Sequence, residues 1–307
     1  MPPLVDGLHL NQYVAPELLV EFRNYKDDFM AVLPGAPAGA ITADGLRMNK
    51  LINNVNFLIN NADPFTATAM DGKKGIIEWD KLDTSPTKVT DAEIRSVAFD
   101  KRSEVRVKHA QAWKIGVRDY VLRKLAPPAH VASAMPVIRT TGADDGFGRK
   151  RMTYDDFLNF YAEIELLNLP DNMSLNFIFN PQHVTDLRKD KANTNYHREG
   201  FVIDPSTGKL KRYLKWNLWE NNSAPIYLAN GSLKAAGASA ISTDRTASTF
   251  FTAENTVHHV NEVKVLYKPE TIDTTSADPT SEFRLQSYAL CNKKQDYGFG
   301  ALVSGIV

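Results

Sequence analysis

The fold is decided by one stretch of the chain, residues 100–126, which reads DKRSEVRVKHAQAWKIGVRDYVLRKLA. Apolar side chains recur in it at helical spacing, and Pro127 and Pro128 follow at once, where prolines stop a helix. The pattern predicts one continuous α-helix, a rod of roughly 40 Å at about 1.5 Å per residue. The apolar positions that define its buried face are Val105, Trp113, Val117, Tyr120, Val121 and Leu125.

Charge divides between this helix and the segment before it. Residues 95–126 carry nine Lys and Arg against three Asp and Glu, a net charge of +6. Residues 62–93 carry four Lys against seven Asp and Glu, a net charge of −3, and two glycines there flank a pair of lysines in a hairpin-like pattern. We therefore expect an acidic extended hairpin over residues 64–90. The basic face of the helix either contacts only solvent or neutralises the negative charge of a partner. That partner would be nucleic acid or the acidic hairpin of a neighbouring subunit.

The remaining segments predict a mixture of helices and strands, an α+β protein. Prolines and glycines interrupt residues 1–50, where only residues 16–31 have helical spacing, so we expect an N-terminal arm. Thr153 is placed as the N-cap of a second helix, and a strand over residues 175–179 runs into a third helix that begins near Gln182. Beyond residue 200 the pattern predicts short strands at residues 200–203, 210–218, 225–228, 249–251, 263–267, 283–290 and 298–303.

Composition and motifs favour a protein without catalytic chemistry. Lys and Arg together number 36, as do Asp and Glu, so no whole-molecule field attracts nucleic acid or anionic lipid. The single cysteine, Cys291, excludes an intramolecular disulfide and a zinc site built on paired thiolates. The seven histidines show no metal-ligand spacing, and the Gly-Phe-Gly sequence at residues 146–148 is typical of a flexible loop rather than a phosphate-binding loop. We expect no enzymatic activity, no cofactor and no metal.

No membrane association is expected either. The first ten residues lack the features of a secretory signal, and no run approaches the roughly 18 apolar residues that a membrane span needs.

The order of these elements resembles that of the major capsid protein of tailed bacteriophages, the Hong Kong 97 fold. Local sequences add to the resemblance and look like those of phages and prophages of the Bacteroidetes group. They are AFDKRS at residues 98–103 and LAP at residues 125–127 around the long helix, FNPQ at residues 179–182, FRLQSYAL at residues 283–290 and YGFGALV at residues 297–303.

The resemblance implies a division of the chain into four parts. They are the N-terminal arm (residues 1–50), the extended loop and spine helix of a peripheral domain (51–130), an axial domain (131–261), and closing strands shared by the peripheral and axial domains (262–307). It also implies a major capsid protein that self-assembles into hexamers and pentamers of an icosahedral shell around double-stranded DNA, in a virion assembled in the host bacterial cytoplasm. The implied partners are copies of the chain itself, scaffolding, portal or decoration proteins, and packaged DNA bound non-specifically.

We place the contacts between subunits on the hairpin and the basic helix. The residues expected there are Lys73, Lys74, Trp79, Asp80, Asp83, Arg102 and Arg106. Two other functions remain open, namely an encapsulin-like compartment shell and, in a different class, a soluble hydrolase whose Asp, Glu and His residues only the fold would bring together.

Overall fold

A computed structural model describes residues 28–51, 59–60, 72–90, 101–170, 172–190 and 200–307. The α-helices in these residues are α1 (Lys101–Leu125), α2 (Tyr154–Glu165) and α3 (Pro181–Lys189). The strands are β1 (Ile41–Thr42), β2 (Gly45–Leu51), β3 (Gly72–Glu78), β4 (Asp80–Asp83), β5 (Thr87–Thr90), β6 (Val137–Arg139), β7 (Arg149–Lys150), β8 (Leu175–Phe179), β9 (Phe201–Ile203), β10 (Leu210–Tyr213), β11 (Trp216–Glu220), β12 (Ile226–Tyr227), β13 (Arg245–Thr252), β14 (Thr256–Val260), β15 (Lys264–Lys268), β16 (Thr280–Lys293), β17 (Phe299–Val303) and β18 (Gly305–Ile306). Short 3-10 helices lie at Asp28–Val32, Ala38–Ala40, Ala253–Asn255 and Glu270–Ile272.

An eight-stranded sheet forms the larger of the two main layers. Its strand order is β6-β17-β13-β8-β11-β10-β9, and β12 pairs with β13. Every residue of β8 is buried, as expected of a central strand covered on both faces. Phe157 and Phe160 of α2 pack on this sheet against Phe177 and Trp216, and all four are fully buried. This aromatic cluster is the main core of the layer.

The start of α2 follows from its sequence. Thr153 is the N-cap and its side chain accepts a hydrogen bond from the backbone of Asp156, whose carboxylate bonds back to the Thr153 amide. This reciprocal arrangement is a capping box, so the predicted N-cap is confirmed.

A five-stranded sheet is built around the 14-residue strand β16. β14 and β15 pair with one edge of β16, and β4 and β5 pair with the other. Burial alternates along most of β16, so one face of this sheet is covered. Phe283 and Leu285 on that face pack against Trp113 and Val117 of α1.

The long helix α1 joins the two layers. Its first half lies on the five-stranded sheet, whereas Val121, Leu122 and Leu125 near its end pack with Ile178 and Phe251 of the eight-stranded sheet. The predicted helix is confirmed, and it ends one residue before the predicted boundary. Its length lets a single rigid element fix the positions of both sheets.

The hairpin differs from the sequence-based expectation. The paired strands are β2 and β3, joined by seven residue pairs from Gly45 with Glu78 to Leu51 with Gly72. The placement of the hairpin over residues 64–90 is therefore wrong, because residues 80–90 belong to the five-stranded sheet. β4 and β5 find their partner in β16, near the other end of the chain, and a local pattern does not reveal such a pairing.

Three other expectations are changed in detail. The strand predicted over residues 210–218 is two strands that turn at Leu214, whose φ is 47°. β14 was not among the predicted strands. The helix predicted over residues 16–31 lies mostly outside the described residues, and its described end is part of the 3-10 helix at Asp28–Val32.

Candidate assembly surfaces

The interior of the protein holds polar groups in structural roles. In the described residues, no group of three or more His, Cys, Asp or Glu side chains is arranged to bind a metal ion. His183 is fully buried, and its ring nitrogens lie 2.8 Å from the hydroxyls of Ser248 and Ser304. Burial lowers the pKa of His183 to about 4. The ring is therefore neutral and fastens α3 to the sheet beneath it. Across the same part of the chain, no helix has the length and apolarity to cross a bilayer.

In the described residues, the hairpin of β2 and β3 packs on the rest of the chain near its base. Leu46 and Ile77 are buried there against Val257 and Leu290, and Trp79 beside them is half-buried, with its indole N–H 3.1 Å from the Thr42 carbonyl. Further along, the side chains of Arg47, Asn49, Lys74 and Ile76 are exposed. Ile76 has 55% of its surface exposed to solvent. Among the described side chains beyond the base, most are thus exposed, including the apolar Ile76.

The two strands of the hairpin are basic, although the sequence predicts an acidic hairpin. β2 and β3 contain four basic residues and a single acidic residue, Glu78, for a net charge of +3. Of the seven acidic residues counted over 62–93, Asp80 and Asp83 lie outside the hairpin in β4, and Asp63, Asp71, Asp91 and Glu93 lie outside the described residues. Of the predicted contact residues, Lys74 is exposed on β3, and Lys73 pairs through its backbone with Lys50.

Asp80 has its partners within the same chain. Its carboxylate accepts a hydrogen bond from the Tyr120 hydroxyl at 2.6 Å and lies 2.7 Å from the Lys124 ammonium. Burial acts to raise the pKa of Asp80, but the bonds to Lys124 and Tyr120 outweigh it and hold this pKa below its ordinary value. The charged carboxylate is therefore a fastening between β4 and α1.

Asp83 and Arg102 are also engaged inside the chain. The Asp83 carboxylate lies 3.1 Å from Lys81 and 3.4 Å from Arg284, and Arg102 forms an ion pair with Glu270. Arg106 is half-buried one turn further along α1. Among these contacts, the pair of Asp80 and Lys124 joins the helix to the preceding segment, whereas Asp83 and Arg102 bind residues of other elements. A role of these seven residues between subunits stays a prediction, and of those with a described side chain, Lys74 and Asp83 are exposed.

Two exposed apolar features were not singled out from the sequence. The outer face of α1 leaves Ile115 51% exposed, next to Gly116, in the middle of a 25-residue helix. Phe147, on the loop between β6 and β7, is 91% exposed. The helical spacing that identifies the buried face of α1 is enough to place Ile115 on the opposite face. Ile115 is two residues from Trp113 and two from Val117, and both of these are on the buried face.

The sequence matches no protein-family model and no curated protein. Solved structures with a similar architecture include phage capsids. The capsid structure of cyanophage P-SCSP1u is 14% identical, with a TM-score of 0.63 over 91% of this chain and 88% of that chain. The capsid of Helicobacter pylori bacteriophage KHP30 is 12% identical, with a TM-score of 0.61 over 92% of each chain. The capsid of Ralstonia phage GP4 is 9% identical, with a TM-score of 0.55 over 90% of this chain and 87% of that chain.

The likeness extends over nearly the whole of both chains in each comparison, so it concerns the arrangement of both sheets and of α1 together. The expected fold class is confirmed. The chain has the Hong Kong 97-like α+β fold of the major capsid proteins of tailed bacteriophages.

Proposed function

We propose that this protein is the major capsid protein of a tailed bacteriophage, and that it self-assembles into hexamers and pentamers of an icosahedral shell around double-stranded DNA. The observation that carries the proposal is the shared architecture with phage capsids over about nine-tenths of the chain. The resemblance stated from the sequence, to phages of the Bacteroidetes group, points to the same function.

The hairpin supports the proposal independently of the fold. Strands β2 and β3 project beyond their anchored base with exposed Ile76 and a net positive charge, and ordering such a segment costs backbone entropy that its own chain does not offset. A neighbouring subunit would supply the missing contacts. The exposed Ile115 on α1 is a second apolar position that a shell would cover.

The parts of the fold take corresponding roles in this proposal. The five-stranded sheet with the first half of α1 is the peripheral domain, the eight-stranded sheet is the axial domain, and the β2–β3 hairpin is the extended loop. Of the strands after residue 262, β15 and β16 belong to the five-stranded sheet, β17 to the eight-stranded sheet, and β18 pairs with β7. We infer that the chain acts without catalysis or cofactor, and that scaffolding, portal or decoration proteins are its further partners in the virion.

Electron microscopy of the purified full-length chain tests the function. We expect closed, regular particles of uniform diameter, formed either by the chain alone or with the proteins encoded beside its gene. A particle that encloses proteins but never DNA would favour the encapsulin-like compartment instead. A species that remains a compact monomer or small oligomer under every assembly condition would contradict both shell functions and revive the hydrolase alternative.

A further inference from the structure

Three exposed apolar side chains lie together at one end of the eight-stranded sheet. They are Phe147 on the loop between β6 and β7, Ile241 on the loop before β13, and Val307 after β18, with exposed fractions of 91%, 60% and 66%. Single exposed apolar residues are common on protein surfaces, whereas a cluster of them indicates a contact surface. We call these three residues the apical patch.

One carbonyl group brings the three segments together. The Gly148 carbonyl accepts a hydrogen bond from the Arg245 guanidinium at 2.6 Å and another from the backbone N–H of Val307 at 3.2 Å. The same guanidinium donates to the Ser242 carbonyl at 2.6 Å. Each residue of the apical patch is therefore either one of these bonded residues or the neighbour of one in the sequence.

The backbone on either side of Phe147 is held by two carboxylates. One oxygen of Asp144 accepts the N–H groups of Gly146 at 3.0 Å and of Gly148 at 3.2 Å, and an oxygen of Asp145 accepts the N–H of Phe147 at 2.9 Å. The two glycines have φ values of 92° and 77°, which side-chain-bearing residues rarely adopt. Because this turn is already hydrogen-bonded, a contact through the phenyl ring costs little further ordering of the backbone.

The loop that carries Ile241 is closed at its base in a similar way. Lys234 and Asp244, the residues on either side of loop 235–243, form a buried ion pair. The Asp244 carboxylate also accepts the N–H of Ile241 at 2.9 Å. All nine residues of the loop are exposed, and four of them besides Ile241 are alanines. The loop therefore adds apolar surface beside Ile241.

The apical patch lies at the end of the sheet that is farthest from the five-stranded sheet. β13 ends at Thr252 and leads through the 3-10 helix at Ala253–Asn255 into β14 of the five-stranded sheet. Arg245, which binds the patch segments, is at the opposite end of β13. A strand rises about 3.4 Å per residue, so the two ends of β13 are roughly 24 Å apart.

The charged groups at this end of the sheet are largely paired within the chain. Arg149 binds the carboxylates of Asp145 and Asp186, and Lys234 binds that of Asp244. With the remaining charged residues of this end, Asp144, Arg139, Lys150 and Arg245, the net charge is +1. Identical copies can therefore bring these ends together without strong repulsion, and the surface that they offer one another is apolar.

Resting on the proposed shell function, we infer that the apical patch of each copy packs against the patches of its neighbours around the axis of the hexamer or pentamer. In that assembly the five-stranded sheets lie at the periphery, so the opposite end of the eight-stranded sheet is nearest the axis. Rotation about the axis brings the same surface of every copy to the centre. The contact removes from water the apolar surface that each chain leaves exposed.

Truncation of the patch tests the contact. Phe147→Ala combined with Ile241→Ala should leave the circular dichroism and thermal unfolding of the subunit unchanged, because both side chains are exposed. The double variant should raise the protein concentration needed for particles at least tenfold. Leu166→Ala combined with Leu214→Ala is the matched control, since these residues are 78% and 54% exposed and belong to the other end of the same domain.

The outcomes separate the contact from the shell function. Particles formed by the patch variant at the wild-type concentration would overturn the inference and leave the shell function in place. An equal loss in the control variant would also overturn it, because the effect would then not depend on the patch. Absence of particles from the wild type under every condition would contradict the shell function itself.

Crosslinking in assembled particles identifies the occupant. Val307→Cys leaves Phe147 and Ile241 in place, and a short bismaleimide should link neighbouring copies of this variant into covalent dimers. Leu214→Cys should give none, and the native Cys291 is buried and does not interfere. Dimers from Leu214→Cys alone, or a link from residue 307 to a different protein at the centre of the ring, would overturn the assignment of the patch to copies of the same chain.

Discussion

Tyr120 donates its hydroxyl hydrogen to Asp80 across 2.6 Å and so ties the helix α1 to strand β4 of the five-stranded sheet. The hydrogen bond joins the two segments whose opposite charges stand out in the sequence. Lys124 adds a second bond to the same carboxylate, so both contacts of Asp80 join the two segments within one chain.

Asp80→Asn should therefore destabilise the folded subunit. The amide keeps the size of the side chain but removes the charge that Lys124 faces, and we expect a loss of about 1 kcal/mol after allowance for solvent screening. Urea unfolding measures the change. Asp83→Asn is the control. The partners of Asp83, Lys81 and Arg284, are more exposed than Lys124, so this substitution should cost less than about 0.5 kcal/mol. Equal effects of the two substitutions would contradict the fastening role of Asp80.

The distal hairpin should be dispensable for folding and required for assembly. Residues 49–74 are replaced by Asn-Gly, so that Met48 and Gly75, which pair directly, flank a two-residue turn. Leu46 and Ile77 remain in the core. We expect a soluble subunit with a nearly unchanged unfolding midpoint and no particles in electron micrographs. Normal shells from this variant would refute the assembly role of the hairpin.

The ion pair between Arg102 and Glu270 should be measurable by charge reversal. Arg102→Glu places two carboxylates together and should destabilise the subunit by about 1–2 kcal/mol, and Glu270→Arg added to it should restore most of that loss. The exposed pair of Arg47 and Asp44 on the hairpin side, reversed in the same way, should change stability by less than about 0.5 kcal/mol. Denaturant titration of the single and double variants measures these changes in the free energy of unfolding. If Glu270→Arg does not restore the stability lost in Arg102→Glu, the ion pair between Arg102 and Glu270 does not contribute as proposed.

Acidification should destabilise the protein through buried histidines. Burial lowers the pKa of His183 and of His258 to about 4, below the ordinary value of 6.5. Between pH 6.5 and pH 4, these histidines therefore bind protons in the unfolded chain but not in the folded chain. Stability is therefore lost as pH falls from about 6.5 towards 4, by about 2 kcal/mol per histidine between pH 7 and pH 5. The carboxylates with lowered pKa titrate below this window.

His183→Gln isolates one contribution. The amide can bond to both Ser248 and Ser304 but does not titrate, so the variant should lose roughly half of the acid sensitivity measured by urea unfolding at pH 7 and pH 5. An unchanged pH dependence would mean that His183 is not the titrating group.

Local patterns were sufficient for the helices and insufficient for the sheets. α1 is readable because its apolar spacing and the two prolines after it act within one segment, and the capping box at Thr153 is equally local. The hairpin was misplaced because β2 shows no clear alternation and pairs with β3 across twenty intervening residues. The extended stretch at residues 80–90 has the same local signature as a hairpin arm, and only its partner β16 distinguishes it.

The surfaces proposed for assembly were harder to read for a related reason. The glycines on either side of Phe147 indicate a flexible backbone unless the carboxylates that accept hydrogen bonds from its N–H groups are recognised. Asp144 and Asp145, which precede the glycines at the spacing of a side-chain-capped turn, are such a signal. The contribution of Arg245 to the same turn comes from a distant strand and is visible only in the folded chain.

The central position of β16 also sets an order of events during synthesis. Four strands pair with this one strand, namely β4, β5, β14 and β15. The backbone of Asp80, for example, can pair only after Ala289 has been synthesised. The ribosome therefore releases the helix and the β2–β3 hairpin long before the sheet that supports them can close. A nascent chain cannot yet offer a finished sheet to its neighbours, so the proposed assembly would be confined to chains whose synthesis has passed residue 293.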